Sequence, residues 1–108
     1  MGFAELAAKD SEAAREEQVL LGGGVVTIRA ADAREVITAT KYATSGDEGE
    51  FALALAALSI VDGDGSRPLV DQDGSLVRGM AEIRNLRPGV QLDLRAAALR
   101  VNGFARGN

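Results

Sequence analysis

The stretch Phe51-Ala-Leu-Ala-Leu-Ala-Ala-Leu-Ser-Ile-Val61 decides the fold of this 108-residue chain. Alanine and leucine are strong helix formers, so the stretch predicts a helix. At about 3.6 residues per turn it carries apolar side chains on two opposite sides. Such a helix must be covered on both sides, either by its own domain or by another chain. One stripe contains Phe51, Leu55 and Leu58, and the other contains Leu53 and Ile60.

A second helix with two apolar stripes is predicted near the end of the chain. Pro88 suits the first turn of a helix and Gly103 suits its C-terminal stop, so we expect a helix from Pro88 to about Asn102. Leu92 and Leu99 lie about 180° away from the other apolar face of this helix. That other face contains Val90, Leu94, Ala97 and Val101.

Two interpretations of these second stripes remain open. A chain of this length holds one domain with one core. That core has little apolar surface with which to bury both stripes of two helices. The second stripes either pack inside that core or contact another chain, and apolar faces alone do not decide between the two. The candidate protein-binding or oligomer contacts are therefore Leu53, Ile60, Leu92 and Leu99.

The N-terminal segment is predicted to be an arm. Residues 3–20 are rich in Ala and Glu but poor in large apolar residues, which predicts a frayed helix. Gly22-Gly23-Gly24 then supplies three unrestricted residues, which indicates a flexible joint. Val25-Val26-Thr27-Ile28-Arg29 is short and β-branched and predicts a strand.

Two more helices are predicted in the middle of the chain. Asp32 and Glu35 have the spacing of a capping box and predict a helix that runs to about Ser45. The β-branched run at 36–42 could equally serve a strand. Residues 76–83 carry a single apolar face and predict a further helix.

These elements together predict the fold class and the domain organisation. We expect a mainly α protein, α+β only through a small β element: a compact bundle of about four helices with a short N-terminal strand or hairpin. Residues 1–23 would form a flexible or frayed arm, residues 24–105 a single helical domain, and residues 106–108 a tail.

The composition excludes most catalytic chemistry. The chain contains no Cys and no His, which removes thiol nucleophiles, imidazole bases, disulfides and Cys/His zinc sites. The aspartates at 62–73 do not keep the register of a calcium-binding loop, because Arg67 stands where that loop needs glycine. The triple glycine lacks the remainder of a phosphate-loop motif. We therefore expect a protein that is not an enzyme, with no catalytic, cofactor-binding or metal-binding residue.

Charge is distributed unevenly along the chain. Residues 1–65 carry a net charge of −7 and residues 66–108 a net charge of +3. Opposite halves can attract each other within one fold or between copies, although scattered surface charges also explain the pattern. The arginines are scattered and the aromatics are few, so neither nucleic acid nor a membrane is an expected partner. The N-terminus has no targeting signal, which predicts a cytoplasmic location.

The order of these segments resembles that of the tail assembly chaperones of long-tailed bacteriophages. Residues 25–35 resemble that family's strand and first helix, and residues 51–69 resemble its alanine-rich helix and the acidic glycine turn after it. Residues 86–90 and 96–103 are similar to its last helix. The similarity spans residues 25–104, and the order and spacing of the segments carry it.

The resemblance implies a small, mainly helical protein in the cytoplasm of the bacterial host. It would form homo-oligomers and hold the tape measure protein soluble while tail tube protein is recruited. In many relatives a ribosomal frameshift produces a longer form with a tube-binding extension. The alternative is a minor tail or head–tail structural component of a phage or prophage particle, in which the N-terminal arm laces neighbouring subunits together.

Overall fold

Five α-helices and one three-stranded antiparallel sheet make up residues 2–12 and 15–104, the part of the chain that this computed structural model describes. The expected class, mainly α, is therefore wrong, because the fold is α+β; the expected number of about four helices with a small β element is roughly consistent with it. The helices are α1 (Phe3–Ser11), α2 (Ala33–Thr40), α3 (Glu48–Ser59), α4 (Val77–Arg84) and α5 (Pro88–Val101), and the strands are β1 (Glu16–Leu21), β2 (Gly24–Arg29) and β3 (Ile60–Val61).

The largest departure from the predicted fold is in the N-terminal segment. The helix α1 ends at Ser11, and residues 16–21 of the expected arm form β1, which pairs with β2 along its whole length. Gly22 and Gly23 have φ values of 57° and 86°, and they form the tight turn between the two strands. Positive φ at both central residues is the requirement of a two-residue hairpin turn, and glycine meets it without strain. The triple glycine is thus a hairpin turn rather than a joint.

The helix α3 is the centre of the core. Every residue from Ala52 to Ser59 is buried, because α2, α4, α5 and β2 all pack around this helix. Asp47 caps its first turn by accepting hydrogen bonds from the backbone N–H groups of Gly49 and Glu50. The helix is shorter than predicted, since Ile60 and Val61 leave it and pair with β2 as β3. The strand order β1-β2-β3 puts β1 at an edge.

The boundaries set by local capping chemistry agree with the sequence. Asp32 and Glu35 form the predicted capping box at the start of α2, although the helix ends at Thr40 rather than near Ser45. Residues 36–40 are thereby helical. Pro88 begins α5, and Gly103 follows its end with a φ of 81°. Residue 105 of the expected domain and the expected tail at 106–108 lie outside the described residues.

A polar contact and an aromatic contact hold the end of α5 to the core. The side chain of Asn102 accepts a hydrogen bond from the backbone N–H of Ala31 at 2.8 Å and donates one to the hydroxyl of Ser59 at 3.0 Å. The ring of Phe104 packs edge-on against Phe51, with ring centroids 5.2 Å apart. These contacts connect α5 to α3 and to the segment before α2, and so fix the direction of α5 across the sheet.

Candidate functional site

The four predicted contact residues divide between core and surface. Leu53 and Ile60 are buried at 2% and 8% exposure, because α3 and β3 are enclosed by the chain itself. Leu53 is therefore enclosed in the core, whereas Ile60, although almost completely buried, lines an apolar cavity. Leu99 is half-buried, and Leu92 is 62% exposed on the solvent side of α5. The second stripe of α5 thus reaches the surface and that of α3 does not.

Apolar side chains with exposed surface lie on α5, near Leu92, and on the neighbouring hairpin. On α5, Leu92, Ala96 and Leu99 follow one another at spacings of four and three residues and share one face. A cleft of about 260 Å³ separates α5 from β1, and Ala96 and Leu20 line its two sides. We call this region the β1–α5 surface and define it as Leu20, Val25, Leu92, Ala96 and Leu99.

The residues on the hairpin side of this surface were not among the predicted contacts. Leu20 and Val25 are cross-strand partners on the sheet face that points away from the core, and they are 77% and 56% exposed. Their position depends on pairing between β1 and β2. It was not predicted because most of β1 lies in the segment, residues 3–20, that was expected to be a frayed helix. The available signal was the apolar run Val19-Leu20-Leu21 directly before Gly22-Gly23, which is a short-range indicator of a hairpin.

An ion pair joins the acidic first part of the chain to the basic remainder beside this surface. Arg100 of α5 binds Glu17 of β1 at 2.9 Å, across the cleft that Leu20 lines. This hydrogen bond raises the pKa of the Arg100 guanidinium above its usual value. A pair of such exposure contributes at most about 1 kcal/mol, so its main effect is to orient α5 against the hairpin.

A separate apolar groove lies at the tip of the hairpin. It consists of two adjoining cavities of about 220 Å³ and 510 Å³, which share Leu21 and Leu86 as lining residues. We call it the tip groove. The hairpin forms one wall, and the end of α4 with the start of α5 forms the other. The further apolar lining residues are Val26, Ile60, Pro68, Leu69, Ile83, Val90 and Leu94.

The acidic loops between β3 and α4 use their carboxylates locally. Asp64 accepts a hydrogen bond from the backbone of Ser66, and Asp73 accepts one from the backbone of Ser75. The hydrogen bonds from Ser66 lower the pKa of Asp64. Asp71 forms an ion pair with Arg78 at 2.7 Å. Within residues 2–12 and 15–104, no three side chains of the kinds that ligate metals converge on one point.

Comparison of the chain with family models, with curated proteins and with solved structures finds no match. Within the described ranges, no helix has both the length and the apolar character that crossing a bilayer requires. The candidate site is therefore defined by its geometry alone, and it consists of two apolar surfaces bordered by charged residues.

Proposed function

We propose that this protein is a tail assembly chaperone of a long-tailed bacteriophage or prophage. In this role it binds the tape measure protein non-covalently in the cytoplasm of the bacterial host, keeps it soluble, and promotes assembly of tail tube protein around it. The chaperone acts as a homo-oligomer and performs no chemical step. The order of segments described for residues 25–104 supports the choice of family.

The observation that carries the proposal is the exposure of the β1–α5 surface. An apolar patch with charged neighbours is characteristic of protein-binding sites. Leu92 lies on the solvent side of α5, Leu20 lines the cleft together with Ala96, and Val25 is the cross-strand partner of Leu20 on the hairpin. A tape measure protein is long and helical and exposes apolar seams before the tube encloses it. An apolar seam of this kind would pack along the cleft between β1 and α5, with Arg100 and Asp93 at its border.

Co-expression with the tape measure protein of the same phage or prophage tests the proposal. The wild-type chain should raise the soluble fraction of the client, and Leu92→Glu should remove most of that effect because it puts a charge into the contact. Ile37→Glu is the matched control, since Ile37 is also 62% exposed but lies on α2. The proposal fails if the client is equally insoluble with and without the wild-type chain. A client rescued equally by both variants would move the binding site away from the β1–α5 surface.

The second candidate function is a minor tail or head–tail component that remains in the particle. One observation favours it, namely that every residue of α1 is exposed. A projecting segment of this kind is suited to lacing neighbouring subunits. Mass spectrometry of purified virions separates the two functions, because a chaperone is absent from the finished particle and a component is present in it.

A further inference from the structure

The helix α1 has an apolar face that is not buried against residues 15–104. Phe3, Leu6 and Ala7 lie on one side of α1, at the spacing of adjacent turns, and Glu5 and Lys9 lie on the other. Phe3 is 85% exposed and Leu6 is 52% exposed. A nine-residue helix is marginal in water by itself, and most helices in proteins persist by packing an apolar face. We therefore expect the apolar face of α1 to pack against another surface.

The tip groove has the complementary property, since it is a concave surface lined mainly by apolar side chains. Its smaller cavity, of about 220 Å³, is larger than the roughly 150 Å³ of a protein cavity that accepts benzene. The phenyl ring of Phe3 has the size of that ligand. Leu21 and Leu86 connect this cavity to the larger one, so a second apolar side chain one turn along the helix would also find cover.

Charge distinguishes the groove from the other apolar surfaces. Arg87 lines the groove, and among the described residues it takes part in no ion pair. The acidic groove residue Glu82 is already paired with Arg78 at 2.8 Å. Residues 3–12, by contrast, carry Glu5, Asp10 and Glu12 against a single lysine, and the ion pair of Asp10 with Arg15 is long, at 3.9 Å, and exposed. An acidic helix and a groove with an uncommitted arginine are complementary in sign.

The groove and α1 of the same chain lie at opposite ends of the molecule. Asp10, near the end of α1, lies beside Arg15 and close to residues 100–103, where α5 ends. The tip groove lies beside residues 86–90, where α5 begins. The fourteen residues of α5 span about 20 Å. A second copy of the chain, however, can bring its own α1 to this groove without such a constraint.

We infer that α1 of one copy docks into the tip groove of a second copy, with Phe3 and Leu6 in the two cavities and Asp10, seven residues after Phe3 on the same side of α1, towards Arg87. The contact is head-to-tail, because the helix and the groove are different surfaces of the same chain. Repetition of such a contact produces a ring if the rotation closes and an open helical chain if it does not. The inference rests on the homo-oligomer of the proposed function and names the contact between its copies; it involves no client, so the solubility of the client in co-expression tests that function separately.

Sedimentation of the purified full-length chain over a range of concentrations tests the contact. The wild type should form oligomers, and Phe3→Ser combined with Leu6→Ser should weaken association by about 100-fold, since two large apolar side chains lose their cover. Ile37→Ser is the control for removal of an exposed apolar side chain from another surface, and it should sediment as the wild type does. A wild type that is monomeric throughout, or a double variant that associates equally well, overturns the inference.

Cross-linking identifies the surface and the source of the helix. The chain has no natural cysteine, so Leu6→Cys and Val90→Cys can be prepared separately, mixed, and treated with a short bismaleimide. The mixture should give far more linked dimer than either variant alone, and more than Leu6→Cys mixed with Leu92→Cys. Equal yields from both mixtures overturn the assignment to the groove. Carrying both substitutions on one chain should give linked oligomers, whereas links only within single chains would show that α1 fills its own groove and would overturn docking between copies.

Discussion

The substitution Asn102→Ala should destabilise the protein strongly, although Asn102 lies at the end of a helix near the surface. The side chain joins three parts of the fold, through the N–H of Ala31, the hydroxyl of Ser59 and the carbonyl of Ala98. Alanine leaves the first two groups without this partner, and Ser59 is completely buried. An unsatisfied buried polar group costs about 1 to 3 kcal/mol. Because Ala31 is only half-buried and regains some water, we expect a total loss of about 2 to 4 kcal/mol.

Thermal unfolding followed by circular dichroism measures this loss. For a domain of about 100 residues, the expected loss lowers Tm by roughly 10 to 25 °C. Asn85→Ala is the matched control, because Asn85 also follows the last turn of a helix but is exposed and its side chain forms no hydrogen bond with the described residues. A change in Tm for Asn102→Ala no larger than that for Asn85→Ala would refute the role given to this side chain.

Two further predictions concern packing. Gly79→Ala should destabilise the protein by about 1 to 2 kcal/mol in a urea titration, despite the better helix propensity of alanine. The reason is that a Cβ at Gly79 would lie 2.7 Å from the Cβ of Leu69 and against its carbonyl oxygen. Gly89→Ala is the control, since Gly89 has open space around it, and it should be neutral or stabilising by up to about 1 kcal/mol in the same titration. Leu53→Ala should cost about 2 to 5 kcal/mol by leaving a cavity in the core, and Leu92→Ala should stay within about 0.5 kcal/mol of the wild type. Similar losses at both leucines would contradict the division between core and surface.

Helix boundaries were predictable where a few neighbouring residues decide them. The capping box of Asp32 and Glu35 and the pair of Pro88 and Gly103 act through hydrogen bonds and dihedral angles within about one turn of helix. These interactions are local and do not depend on the tertiary structure of the remaining chain. Their positions in the structure therefore agree with the predicted ones, except that α2 ends at Thr40 rather than near Ser45.

The strand β1 was not predictable on the same grounds. Residues 16–21 have little strand character of their own at Glu16, Glu17 and Gln18, and they become a strand because β2 pairs with them residue by residue. The same pairing places Leu20 and Val25 on one face and makes the candidate surface. Ile60 and Val61 likewise leave the helical pattern of α3 because β2 offers them hydrogen bonds.

The sequence by itself determined that two helices carry apolar side chains on opposite sides, since helical periodicity needs nothing but the order of residues. Only the tertiary structure decided what covers each stripe. Every residue of α3 from Ala52 to Ser59 is buried, so Leu53 lies in the core. The buried residues of α5 share one face of the helix and leave Leu92 in solvent; they are Leu94, Ala97, Ala98 and Val101. Burial is a property of the neighbours that a face acquires, and those neighbours come from distant parts of the chain.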